Sequence, residues 1–298
     1  MEEENLEGVR ILKEKRKSRK GKYAIGDFHL AGIVPVTGEK LDFNLPWHDS
    51  LIPVGQDYLA IEHAAYECAC AGANTIWIVC KEGTTPLIRH RLGDWLHDPV
   101  EVDLVSKNPR STKSDSIRRI PIYYVKIKPI DFERRESLGW STLVGAINSF
   151  RMSFRISKWL APDKYFVSFP YGIYDANILR KKRHMLRSTK SYVISHEGKS
   201  VADGLHTSFT FDRDVFVYAR REVRKYKTEL DEIFKSVTLD EPTKIEVPWY
   251  HQIDCWESYR EYLASEEQVS KHKEIANGIL TFQKQEARRS FKLIGAET

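Results

Sequence analysis

The segment from Ile33 to Cys80, IVPVTGEKLDFNLPWHDSLIPVGQDYLAIEHAAYECACAGANTIWIVC, constrains the fold more than any other part of the chain. It opens on a short apolar strand that runs into a Thr37-Gly38 turn, with a basic residue, Lys40, just beyond. A second apolar knot, Leu51 to Gly55, leads into an Ala-rich stretch from Tyr58 to Ala71 that reads as helix. Gly72 is placed to close that helix with a left-handed residue. Thr75 to Cys80 is apolar without alternation, the pattern of a strand buried on both faces in a parallel sheet. The result is a strand–loop–helix–strand unit whose first turn can approach a phosphate.

The remainder continues the alternation of strand and helix. Pro86 to Leu96 reads as helix, Asn108 to Ser116 as loop, and Ile120 to Ile127 as strand. Leu138 to Phe150 reads as a turn running into a helix, and Lys164 to Phe169 as a strand ended by Pro170 and Gly172. A basic helix over Asp175 to Arg187 follows, then strands at Ser191 to Ser195 and His206 to Phe211, and a helix over Val215 to Phe234. The chain from Asp254 onward is helical in pattern. This order predicts an α/β fold: a Rossmann-like mixed, mostly parallel sheet with helices on both faces. Ligands of such sheets bind outside the carboxyl ends of the strands. That rule gathers the Val36–Pro46 loop, the Gly139–Thr142 turn and the Pro170–Tyr174 loop around one crevice.

At 298 residues, with 41% hydrophobic and 30% charged side chains, the chain has enough apolar content for a substantial core. No apolar run is long enough to span a bilayer, and the N-terminus lacks the apolar centre of a signal peptide. A cytoplasmic location is expected, or assembly into a particle within a host cell. Cys68, Cys70, Cys80 and Cys255 show no zinc spacing and are expected as free thiols. The net charge of +5 is unevenly spread. Lys13 to Lys22 carries seven basic residues and one acid, and basic clusters recur at Arg180 to Arg187 and Arg220 to Lys227. Such runs attract acidic protein surfaces or nucleic acid, or else form solvated helix faces. Three parts are expected: a basic N-terminal arm over 1–22, an α/β domain over 23–263 and a C-terminal helical extension over 264–298.

Several of these stretches resemble the sugar-1-phosphate nucleotidyltransferases (nucleoside-diphosphate-sugar pyrophosphorylases). Val34 to Leu41 is similar to the first strand and phosphate loop of that family, shortened; Leu45-Pro46 and Leu51 to Gly55 are similar to its next apolar element. Leu59 to His63 resembles its helix start and Ala71 to Val79 the strand entry that follows. Further on, Gly139 to Ala146 resembles the turn that reads the nucleotide base, Lys164 to Asp175 the strand carrying the first metal-binding Asp, and His251 to Leu263 a late Asp-containing segment. The resemblance covers roughly residues 30–263. It also has departures: the family's catalytic lysine falls near Trp47 or His48, and its first metal Asp falls near Tyr171.

The resemblance implies a site that binds a nucleoside triphosphate or nucleotide sugar and transfers a nucleotidyl group to a sugar phosphate with Mg2+. Charge gathers on phosphate oxygens in that transfer, so cations and backbone N–H groups are needed there. Lys40 is the expected phosphate contact, or an exposed loop lysine. His48 either replaces the missing lysine or is an ordinary loop histidine. Thr37, Gly38, Gly139, Ser141 and Thr142 are the expected nucleotide contacts, although Ser141 and Thr142 also suit hydrogen bonds at a helix start. Asp254 is either a metal ligand or a cap for the helix beginning near Cys255. Two alternatives stand beside this activity. One is a catalytically degenerate fold used for binding or structural assembly, as a homo-oligomer or in a larger particle. The other is a metal-dependent glycosyltransferase using the Asp-x-Asp pair Asp212 and Asp214, which equally suits a helix cap.

Overall fold

The computed structural model describes residues 28–38, 41, 43–55, 58–107, 117–127, 137–156, 161–213 and 242–267. The basic arm, Lys40, Asp214, the helix expected over 215–234, the cluster at 220–227 and nearly all of the C-terminal extension lie outside them.

The chain enters at β1 (Leu30–Pro35), makes a short 3-10 turn (Asp49–Leu51), and forms a small hairpin from β2 (Pro53–Gly55) and β3 (Tyr58–Leu59). Helix α1 (Ala60–Cys70) leads to β4 (Thr75–Cys80). Then come α2 (Thr85–Leu92), β5 (Trp95–His97), α3 (Pro99–Lys107) and β6 (Arg119–Lys126). The long helix α4 (Leu138–Ile156) precedes β7 (Lys164–Val167), β8 (Gly172–Tyr174) and α5 (Asn177–Leu186). Strands β9 (Tyr192–His196), β10 (Lys199–Ser200), β11 (Phe209–Asp212), β12 (Thr243–Glu246) and β13 (Tyr250–Gln252) follow, and α6 (Trp256–Ala264) closes the described chain.

The main sheet runs β10-β9-β11-β7-β1-β4-β6-β5, with β12 also pairing β9. Its centre, β7-β1-β4-β6, is parallel; β11 and β5 join antiparallel on either side. Successive side chains of a strand point to opposite faces, and the two cores follow that rule. Leu30 and Val34 of β1, with Ile76 and Ile78 of β4, pack under α1 and α5. Ala31 and Ile33, with Trp77 and Val79, pack under α4 through Trp140, Leu143 and Ala146. Helices therefore cover both faces, as the unbroken apolar character of Thr75–Cys80 requires. Helix α1 is buried on every side, including Glu62, His63 and Glu67, which a surface helix with one apolar stripe would not be. Cys68, Cys70 and Cys80 are buried free thiols, and burial pushes each thiol pKa up. Among the described residues, no helix is long and apolar enough to cross a membrane.

Three expectations change. The helix read over Pro86–Leu96 ends at Leu92, where the Gly93 N–H bonds the Arg89 carbonyl at 2.8 Å; Trp95–His97 is instead an edge strand on β6. A helix at Pro99–Lys107 was not expected. Leu138 begins α4 directly, so Gly139, Ser141 and Thr142 are helical rather than a free turn.

Candidate functional site

From β1 the chain crosses first to β4 and β6, then returns to the other side of β1 as β7. The sheet order thus reverses between β1 and β7, and the crevice rule points to the carboxyl ends of those two strands. There, Val36 N–H donates to Val79 O at 2.9 Å and Ser168 N–H donates to Ile33 O at 3.0 Å, which carries both neighbours' pairing one step beyond the strands.

The Thr37-Gly38 turn docks on the start of α4. Gly38 has φ 111°, and a Cβ there would lie 2.2 Å from the Ser137 carbonyl carbon. Ser137 caps α4, its Oγ accepting the Trp140 N–H at 3.1 Å. The Ser141 hydroxyl donates to Thr37 O at 2.5 Å and sits 3.0 Å from Thr37 Oγ1. The Thr142 hydroxyl donates to Leu138 O at 2.9 Å. Five expected positions (Thr37, Gly38, Gly139, Ser141 and Thr142) thus meet in one place. Of the two uses expected for Ser141 and Thr142, the geometry shows the hydrogen bonds at a helix start: both are buried and spend their hydroxyls on carbonyls, Ser141 on the turn and Thr142 within α4.

His48 does not supply the missing cation. Its Nδ1 accepts the Ser50 N–H at 3.2 Å, capping the 3-10 turn. Burial first, and Lys81 second, lower its pKa to about 4. At neutral pH the ring is uncharged and acts as an acceptor. Below about pH 6.5 the unfolded chain takes a proton that the folded one refuses, so this group's contribution to stability is present above pH 6.5 and is lost as pH falls toward 4. NMR titration of the His48 ring is expected to show a midpoint near 4; a midpoint above 6 would restore the cationic role.

Asp254 lies between two of the crevice's loops, Pro170–Tyr174 and Val36–Pro46. The neighbouring Ile253 N–H donates to Tyr171 O at 2.8 Å, and β13 pairs β8, with Gln252 opposite Gly172. On the other side, Trp256 Nε1 donates to Phe43 O at 3.2 Å and the two rings meet edge to face at 5.2 Å. Ser258 Oγ donates to Asp254 Oδ1 at 2.9 Å, and Gln252 Nε2 to Oδ2 at 3.3 Å. Burial opposes ionisation, but these hydrogen bonds outweigh it and hold the pKa below the usual carboxylate range. Both oxygens therefore already accept a bond, and Tyr171, where a second carboxylate is expected, is buried beside His206 at 6.1 Å between ring centres. Among the described residues no three His, Cys, Asp or Glu side chains gather as a metal site. Asp254 is thus a single carboxylate with one lone pair left on each oxygen, which suits magnesium when substrate phosphates and water complete the shell.

Strand direction sets Asp212, the described half of the Asp-x-Asp pair of the glycosyltransferase alternative, apart from the crevice. Strand β11 runs antiparallel to β7 with Asp212 opposite Lys164, the first residue of β7. Asp212 is therefore at the amino edge of the parallel strands, away from the crevice.

The residues that sequence reasoning missed lie beneath the crevice. Glu67 of α1 has no solvent exposure. Its Oε2 accepts hydroxyls from Ser168 at 2.7 Å, Tyr174 at 2.8 Å and Ser208 at 2.8 Å. His63 Nε2 lies 2.9 Å from Oε1, and Tyr58 Oη lies 3.4 Å from His63 Nδ1. Ser168 is the first residue past β7, so one buried carboxylate ties α1 to the exit of β7, to β8 and to the approach to β11. The i,i+4 spacing of His63 and Glu67 in an apolar helix was the available signal. Elsewhere, an open cleft of about 520 Å3 lies between α2 and the end of β6. Its charges pair with one another, Lys126 with Glu82 at 2.5 Å and Arg89 with Asp94 at 2.8 Å.

No family model matches the chain, and no curated protein matches it in sequence. Solved structures do match in shape. A Bacillus anthracis protein described as a glucose-1-phosphate thymidylyltransferase, crystallised in complex with a sucrose, superposes with TM-score 0.54 at 13% identity, covering 79% of this chain and 94% of that one. The Rv0371c protein of Mycobacterium tuberculosis gives TM-score 0.46 at 15% identity over 80% of this chain and 99% of that one, too low a score to argue from. At these identities the likeness speaks to architecture: the chain has a nucleotidyltransferase-like α/β fold, a mixed and mostly parallel central sheet with helices on both faces.

Proposed function

We propose that this protein binds a nucleoside triphosphate or nucleotide sugar at the carboxyl edge between β1 and β7, with phosphates against the Thr37-Gly38 turn and the amino end of α4. The observation that carries the reading is the contact of Gly38 with Ser137. It sets a turn without a side chain beside the capped start of a 19-residue helix, at the point where strand order reverses. Backbone N–H groups and a helix dipole favour anions there, and under this reading Lys40 supplies the cation. Calorimetry with each nucleoside triphosphate and nucleotide sugar, with and without Mg2+, tests it. Single-site binding is expected, weakened about tenfold by Lys40→Ala, the loss of one charge-assisted contact. No heat with any of these ligands at about 1 mM would refute it.

A second reading, binding or assembly without turnover, is favoured by three positions. His48 is neutral, Asp254 has both oxygens hydrogen-bonded, and Tyr171 fills the expected metal position with a buried ring. It predicts nucleotide binding without pyrophosphate release on addition of a sugar phosphate; pyrophosphate formation above background would exclude it. Residues 1–22 are proposed, in either case, as an arm for an acidic partner.

A further inference from the structure

The amino edge of the sheet, opposite the crevice, gathers three arginines around one buried carboxylate. Asp98, fully buried just past β5, accepts Arg183 Nη1 at 2.7 Å and Nη2 at 2.5 Å, and Arg118 Nη1 lies 3.8 Å from it. Arg118 Nη2 also donates to Ala73 O at 2.8 Å. Arg187, four residues after Arg183 and so on the same helical face, donates to Phe28 O at 2.9 Å and reaches Gly72 O at 3.5 Å. Adjacent carbonyls, Gly72 and Ala73, therefore hold Arg187 and Arg118 close together. Gly72 has φ 89°, and a Cβ there would lie 2.7 Å from Arg183 Nε and 3.0 Å from Arg187 Cδ; a residue without a side chain is what lets the arginines close in.

Among the described residues the charges here do not balance: Asp98 is the one carboxylate in contact with any of these three guanidinium groups. Glu101, on the flank, accepts the Arg118 backbone N–H at 2.6 Å, and the neighbouring Arg180 is answered by its own partner, Asp103. Among the described residues Arg187 holds only carbonyls. Its pKa is lowered by burial, then by Arg118 and Arg183, with Asp98 offsetting part of the effect. Unlike a lysine, an arginine so crowded keeps its charge. The side chains of Arg118 and Arg183 remain 29% and 18% exposed, and Arg187 is also partly exposed, so a solute can reach them. Among the described residues the Nε–H groups of Arg118 and Arg187 make no hydrogen bond.

We propose that Arg118, Arg183 and Arg187 form a second anion site, at the amino edge of the sheet, that takes a doubly charged oxyanion of the phosphate-monoester class. Planar guanidinium forks match the oxygen spacing of such a group, and its charge answers the surplus that Asp98 leaves. The site is independent of the crevice and stands whether or not a nucleotide binds there.

The test is titration of the full chain with inorganic phosphate in low-salt, phosphate-free buffer, followed by calorimetry and by the thermal midpoint, together with crystals soaked in tungstate. Saturable one-site binding is expected, weakened about tenfold or more in Arg187→Met, with tungstate between the three guanidinium groups. Arg118→Gln provides the same loss if Arg187→Met does not fold. Absence of saturable binding by the unaltered protein at about 10 mM phosphate overturns the proposal, as does unchanged binding in a folded variant or tungstate found only elsewhere. A single-stranded RNA series is the remaining arm. Affinity that climbs with RNA length and is lost in Arg187→Met, without phosphate binding, would make this a nucleic-acid surface and also overturn the proposal.

Discussion

Replacing Glu67 with Ala is expected to lower the unfolding free energy, measured in urea, by about 3–5 kcal/mol, the range for removing one member of a buried charged network. The side chain is wholly out of water and receives three hydroxyl hydrogen bonds of 2.7–2.8 Å with His63 alongside. Without it, the hydroxyls of Ser168, Tyr174 and Ser208 face an apolar hole, and each orphaned donor costs about 1–3 kcal/mol unless water enters. Glu67→Gln keeps an acceptor oxygen but loses the charge, so its cost should be smaller, about 2 kcal/mol. Removing donors together with the acceptor, as in Glu67→Leu with Ser168→Ala and Ser208→Ala, is expected to destabilise less than Glu67→Leu alone. A loss below about 1 kcal/mol for Glu67→Ala would mean that the network does not hold the crevice floor in place.

Gly38→Ala is the second large effect, and it joins stability to the site. The new Cβ would lie 2.2 Å from the carbon and 2.4 Å from the oxygen of the Ser137 carbonyl, and 2.5 Å from Leu138 N. These are backbone atoms at the start of a helix and cannot swing aside as a side-chain tip can. The φ of 111° is also one that residues with a Cβ avoid. A cost of about 2–4 kcal/mol is expected from strain and overpacking combined, with nucleotide binding lost because the turn must lift off α4. Ser141→Ala removes one hydrogen bond without displacing the turn and should cost about 1 kcal/mol. Thermal unfolding beside calorimetry separates the two effects. A Gly38→Ala protein of full stability would show that the turn does not press on α4.

The parallel centre of the fold was legible because TIWIVC carries no alternation and because Gly72 ends an Ala-rich helix. The short strands were not. Gly172–Tyr174, Thr243–Glu246 and Tyr250–Gln252 each span three or four residues, and their partners lie far along the chain or, for Thr243–Glu246, on β9 some fifty residues earlier. Trp95–His97 was hidden because the turn at Gly93 breaks a run whose composition reads as helix. At the site, the meeting of Thr37 with Ser141 spans 104 residues, yet alternation of strand and helix was enough to bring those loops to one edge. What periodicity does not carry is direction and burial. The Asp-x-Asp pattern was visible, but only the antiparallel course of β11 reveals that Asp212 faces the wrong edge. His48 carried the right chemistry for a cation, and burial removed its charge. Glu67 sat in plain view in an apolar helix, while its hydroxyl partners come from 101, 107 and 141 residues away.

The central claim is that the Thr37-Gly38 turn and the Asp254 segment border one ligand site. A crystal structure of the full chain grown with a nucleoside triphosphate and Mg2+ tests it most directly. The expected result is a phosphate chain hydrogen-bonded to the backbone of Gly38 and the first turn of α4, with Asp254 on the same side of the ligand. A nucleotide bound away from both segments, or seated only among Arg118, Arg183 and Arg187, would contradict it.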